Sequence, residues 1–292
     1  MVNMTYQLLI IVLPLVWLLI ASIQDIKRRE VANWISFSLV SFGITINVIS
    51  SIINKTYTNL IYLAFILAGF AVISLILYYG RIFGGGDAKL LIALSPFLIE
   101  IPKKFHESIS FNFPFAIVFL LNVVFIGSIY GVIWSIVLGI KNRSNFSKSF
   151  RKMRKNKKFV FLTAILLILS LISLLMFFFN KDSPFLFIFI ILFILPFLFV
   201  FIKSVEESSM IRLVEPKDLT EGDWLAKKIK IGKKWIKPSE GLGLDEIKLL
   251  RKYKKNVLIK YGIPFVPVFL LAFAASLFFN TLIELVMLLS KL

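Results

Sequence analysis

Two carboxylates are the residues of this chain best suited to chemistry. Asp87 closes the run Phe83-Gly84-Gly85-Gly86-Asp87-Ala88-Lys89-Leu90, set between long apolar segments. Three successive glycines leave the backbone bare, so a second peptide backbone can come close and the local φ/ψ choice stays open. An acid right behind them, at the head of an apolar segment, is costly near a membrane and asks for a purpose. Asp25 stands at the end of the first apolar run, in Ser22-Ile23-Gln24-Asp25-Ile26-Lys27-Arg28-Arg29. Two carboxylates held close together cannot easily both ionise, so the pair can share one proton around a water. Such a pair hydrolyses peptide bonds. The charged acid takes a proton from the water and the protonated one polarises the scissile carbonyl. Residue types alone do not bring the two side chains together.

Other chemistries find little material. The chain has no cysteine, which excludes disulfides, thiol catalysis and cysteine metal sites. The single histidine, His106, leaves a zinc site or a Ser-His-Asp triad almost without ligands, and neither metal nor cofactor is expected. Local structural roles compete with catalysis. Asp25 could pair with Arg28 or Arg29 one helical turn on. Asp87 could cap the helix it opens, a role compatible with catalysis. Glu100, Glu284 and His106 are expected to be solvated at the outer side, and Pro264 and Pro267 to set the entry of the last helix.

The elements that must position these acids are membrane helices. The 292 residues are 59% hydrophobic, with mean hydropathy +0.89, against about 45–50% apolar in soluble domains. Apolar runs at 6–23, 35–53, 60–79, 88–101, 114–140, 159–179, 185–202 and 263–289 predict an all-α polytopic membrane protein of about eight transmembrane helices. The first run lacks a basic start and a small-x-small exit, so it is expected to be retained as a helix. Between the last two spans, 203–261 holds 15 basic and nine acidic residues and four glycines. It predicts a small, turn-rich, partly β cytoplasmic module with a helix near 245–255. The expected organisation is a catalytic membrane core (1–140), a basic cytoplasmic loop (141–158), an additional helical hairpin (159–202), the polar module (203–261) and a C-terminal transmembrane helix (262–292).

Charge orients this arrangement. Formal charge is +18, from 34 Lys+Arg and 16 Asp+Glu. With eight crossings and the amino terminus outside, 29 of the 34 basic residues fall on the inner side, as cytoplasmic loops require. Asp25 and Asp87 then share the cytoplasmic boundary. The stretch 141–158 carries nine Lys/Arg and no acid; it reads as a topology signal attracted to anionic lipid heads. Membrane lipids, not nucleic acid, are the expected partners of that charge.

Gly84-Gly85-Gly86-Asp87 fits the Gly-x-Gly-Asp pattern of membrane aspartyl proteases. The segment around Asp25 resembles the other catalytic segment of the type IV prepilin peptidase family, and within it the archaeal preflagellin and prepilin peptidases. Gly262-Ile263-Pro264-Phe265-Val266-Pro267 is similar to the end of that branch. The resemblance covers about 6–140 and 205–290, with 159–202 as an insertion. It implies that Asp25 and Asp87 are the catalytic pair and that Gly84, Gly85 and Gly86 shape a loop that admits the substrate backbone. It further implies an aspartic endopeptidase removing short basic leader peptides from pilin-like or archaellin precursors at the cytoplasmic face of the cell membrane. Glu206, Glu207, Glu215, Asp218 and Glu221 are expected to help receive the basic leader. Without the cysteine segment of many bacterial relatives, cleavage without methyl transfer is expected. A presenilin or signal-peptide-peptidase type is the alternative protease, but its Tyr-Asp and Pro-Ala-Leu strings are absent. An ion-coupled transporter using Asp87 in a broken helix is the alternative outside proteolysis.

Overall fold

Lipid offers a backbone no hydrogen-bonding partners, so apolar runs of this length must satisfy themselves as helices. The structure, a computed structural model, describes residues 2–99, 114–181, 183–231, 234–236, 241–254 and 256–278. In order these form α1 (Val2–Arg28), α2 (Asn33–Ile53), α3 (Thr58–Tyr79), α4 (Gly85–Leu94), α5 (Phe115–Lys141), α6 (Arg143–Arg154), α7 (Lys157–Asn180), α8 (Ser183–Val205), β1 (Ile211–Val214), β2 (Ile229–Ile231), β3 (Lys234–Ile236), α9 (Leu244–Lys252), β4 (Val257–Lys260) and α10 (Val266–Phe278). Among the described residues, six helices are long and apolar enough to cross a membrane: α1, α2, α3, α5, α7 and α8. The chain is a mostly helical, polytopic membrane protein, as expected.

The short span expected at 88–101 is shorter still. α4 stops at Leu94 and continues only as a 3-10 turn, Ser95–Leu98. Pro96 has no N–H to continue the helical ladder, so the chain passes into a 3-10 turn while Ser95 keeps helical φ/ψ. The described part is about 23 Å long, below the ~30 Å of a bilayer core. Of the last expected span, α10 is the described part. Glu100, Lys103, Lys104, His106 and Glu284 lie outside the described residues.

The chain divides into two compact units, one of Met1–Gly131 with Gly262–Leu292, the other of Val132–Tyr261. In the first, α4 and the 3-10 turn after it are the buried element: Leu90, Leu91, Leu94 and Phe97 are essentially inaccessible. α2 and α3 pack against it. Gly43 permits the close approach of α2, since a Cβ there would lie 2.7 Å from Pro96 Cβ. Asn47 then donates to both Gly43 O and Pro96 O, at 2.8 and 2.9 Å. Asn122 of α5 donates to Ser276 Oγ of α10 at 2.8 Å. Small residues and buried amides joining helices are what membrane interiors use in place of a hydrophobic drive.

In the second unit α7 and α8 pack on each other. The polar segment beyond them folds around Leu225, Ile236, Leu242, Leu250, Val257 and Ile259. β1 pairs antiparallel with β4, and β2 with β3. α9 opens with Glu246 accepting from Gly243 N–H at 3.2 Å, an acid reaching back to the start of its own helix. The expected helix and the partly β character of this region are both present.

Candidate functional site

Asp25 sits in the last turn of α1, whose end is set by Arg29 in a left-handed conformation (φ 57°). Ala32 N–H donates to Gln24 Oε1 at 3.1 Å and holds the return into α2. Asp25 is 6% exposed. Its Oδ2 accepts from Val266 N–H at 3.0 Å, one of the unpaired donors at the start of α10. The approach to α10 is tied down as well, with Arg29 Nη1 donating to Gly262 O at 2.8 Å. Phe265 packs over Gly127, where a Cβ would lie 2.9 Å from the ring, and meets Phe83 and Phe269 at centroid distances of 5.1 and 5.6 Å. Phe83 leads directly into the glycine run. One aromatic cluster therefore positions both the donor to Asp25 and the loop before Asp87.

Asp87 lies in the first turn of α4 and is half-buried; its Oδ2 accepts from Gly84 N–H at 3.0 Å. This is the capping role that its position allows. The backbone freedom expected of the three glycines is not used: Gly84 is ordinary extended backbone (φ −71°, ψ 165°), and neither Gly85 nor Gly86 has positive φ. The space for a side chain is tight only at Gly84. A Cβ on Gly84 would lie 3.3 Å from Asp87 Oδ2, one on Gly86 3.5 Å from Val31, and one on Gly85 3.8 Å from the Tyr78 ring. Gly84 and Gly85 are exposed. Lys89 Nζ donates to Asn33 Oδ1 at 2.9 Å, anchoring α4 to the start of α2.

The two acids lie within electrostatic reach of each other. Loss of water around Asp87, then the negative charge of Asp25, push its carboxyl from the ordinary 3.8 up to about 7, against the pull of the Gly84 N–H bond. Tyr130 of α5 also lies within electrostatic reach of Asp25, as does the Arg29 guanidinium. Tyr130 and the Val266 N–H were not legible as site groups, since neither belongs to a motif around an acid.

The acids expected to meet a basic leader are largely engaged. Glu206 is bridged by Lys203 and Lys260, both at 2.8 Å, Glu207 pairs with Lys152, and Glu215 pairs with Lys217 at 2.7 Å.

Residues 12–136 match the profile of the type IV leader peptidase family. Among curated proteins, the chain is 30% identical over 135 residues to a preflagellin peptidase of Methanococcus voltae, covering 45% of this chain and 57% of that one. It is 32% identical over 133 residues to a preflagellin peptidase of Methanococcus maripaludis, covering 44% and 56%. It is 26% identical over 131 residues to the prepilin peptidase EppA of Methanothermobacter thermautotrophicus, covering 42% and 34%. The chain thus spans about half the length of the preflagellin peptidases it matches, and about a third of EppA. No solved structure matches. The resemblance expected from the motifs is found over 12–136, a segment that contains both Asp25 and Asp87; the polar module and residues 262–267 lie beyond it.

Proposed function

We propose that this chain is an aspartic leader peptidase of the membrane, using Asp25 and Asp87 to split a peptide bond with water. The observation that carries the reading is the electrostatic coupling of two acids inside the segment that matches the leader peptidase family. Asp25 acts as the ionised partner, with its Oδ2 accepting from the Val266 N–H. It takes a proton from a water while the oxygen adds to the scissile carbonyl carbon. Protonated Asp87 gives its proton to the carbonyl oxygen. In the second step the tetrahedral diol collapses, the C–N bond breaks, and the proton on Asp25 passes to the departing amine. The diol returns a proton to Asp87 as the new carboxyl forms, so both acids end as they began. The exposed backbone at Gly84 and Gly85 leaves a substrate strand room beside Asp87.

The substrates are pilin-like or archaellin precursors with a short basic leader, cut at the cytoplasmic boundary just ahead of their hydrophobic helix. This rests on the similarity to preflagellin and prepilin peptidases together with the charge asymmetry of the loops. The test is to co-express the full chain with such a precursor and determine the product's new amino terminus by mass spectrometry. Cleavage one or a few residues before the hydrophobic helix is expected; a precursor left uncut would overturn the substrate assignment.

A further inference from the structure

The densest positive charge in the chain has no part in the peptidase reading. It is centred on α6, flanked closely by α5 and α7, each long and apolar enough to cross a membrane. A helix held between two spans by such short links has to lie at a bilayer boundary. Arg143, Phe146, Ser147 and Phe150 recur at three- and four-residue spacing and so share one face of α6. That face closes a groove of about 430 Å³ against the end of α5 and Phe201 of α8. Phe146 meets Phe201 at 5.5 Å and Phe150 at 5.6 Å between ring centroids. A Cβ on Gly139 would make ordinary contact with Phe146 and Phe201 at 3.8–3.9 Å, so the end of α5 packs directly on both rings. Arg143 is exposed and lines the groove; Lys148, Arg151 and Arg154 of the same helix are exposed as well, and no acid falls between 141 and 158. Lys152 is held by Glu207.

We propose that this groove is a binding site for an anionic phospholipid, with one hydrocarbon tail between Phe150 and Phe201 and the phosphate against Arg143. Charge and shape agree on that occupant. An apolar slot at the boundary meets hydrocarbon, and a guanidinium at its edge matches a phosphate better than a point charge does. General attraction of a basic segment to an anionic surface treats its charges alike. A groove does not: it requires a tail, and it singles out Arg143. The site is independent of the peptidase assignment.

The test uses the purified full chain in detergent, with lipid retention read by native mass spectrometry. Phosphatidylglycerol, phosphatidylcholine and glycerol phosphate are offered separately to the unaltered protein, Arg143→Gln, Lys148→Gln and Ser147→Phe. Phosphatidylglycerol should be retained in preference to phosphatidylcholine. Arg143→Gln should lower its retention about fivefold, the worth of one cation near an anionic surface, while Lys148→Gln changes it little. Ser147→Phe, which fills the groove without removing charge, should also lower it, with circular dichroism confirming unchanged helix content. Equal retention of the two lipids, equal effects of Arg143→Gln and Lys148→Gln, or equally strong binding of glycerol phosphate alone would each overturn the proposal. A dimer that Ser147→Phe dissociates would overturn it too, by showing a second copy in the groove.

Discussion

At the scale of single residues, the proposed mechanism depends on keeping one proton on a pair of acids. Asp87 is raised to about 7 by lost hydration and by the charge of Asp25. A general acid with that pKa is essentially fully protonated only about one to two pH units below it and loses its proton as pH rises through about 7. Cleavage should therefore fall above pH 7, approaching about tenfold per unit, while the rate just below 7 stays high. A rate flat from pH 6 to 8.5 would contradict that assignment. The glycines separate by what a Cβ would meet. Gly84→Ala puts a methyl 3.3 Å from the Asp87 carboxylate, whereas Gly85→Ala meets only a ring at 3.8 Å. In the same cleavage assay Gly84→Ala should be several-fold slower and Gly85→Ala close to unaltered; the reverse order would refute this account of the loop. Both acids stand out in the sequence because an acid at the edge of an apolar run is conspicuous. The donor to Asp25 does not, because it is the backbone N–H of Val266, which no side-chain pattern announces.

At the scale of elements, glycine is where helices meet. A methyl on Gly43 would lie 2.7 Å from Pro96 and 2.8 Å from the Phe97 ring. Neither neighbour can retreat, because Pro96 is built into the turn after α4 and Phe97 is fully buried. Gly43→Ala should destabilise the protein by about 1–3 kcal/mol, the usual cost of overpacking, read as a lowered thermal midpoint in detergent. Gly127→Ala presses on Phe265 instead, and so on the start of α10 and its bond to Asp25. It should slow cleavage by more than its loss of stability explains; an unchanged rate would mean that the Phe265 cluster does not position Asp25. The long helices were readable because twenty apolar residues in lipid leave the backbone one solution. The end of α4 was less so. Its apolar pattern runs past Leu94, and the break comes from Pro96, whose effect on a short buried helix is not visible in hydropathy.

At the scale of the whole chain, charge is sorted along the sequence: Lys55 is the one basic residue between α2 and α3, whereas 141–158 holds nine. If basic loops stay inside, the α2–α3 link faces outward and α6 faces the cytoplasm, which requires the chain between α3 and α5 to cross once more, as the sequence predicts for 88–101. The absence of native cysteine makes this simple to measure. In intact cells, an impermeant maleimide should label Lys55→Cys and should not label Ser144→Cys until the membrane is opened. The opposite pattern would invert the orientation. The broad architecture was legible from composition, as were the helix and strands of the polar module. Its lysine-to-glutamate pairings were not, because they depend on which loops the fold brings together. Glu206 is held between Lys203 and Lys260, 57 residues apart in the chain.

The most direct test of the central claim is cleavage of a basic-leader precursor by Asp25→Asn and Asp87→Asn, each present in the membrane at the level of the unaltered protein. Asparagine keeps size and hydrogen-bonding capacity while removing the exchangeable proton, so a shared-proton pair should lose activity by several orders of magnitude in both variants. Ordinary cleavage by either one would contradict the pairing of Asp25 with Asp87.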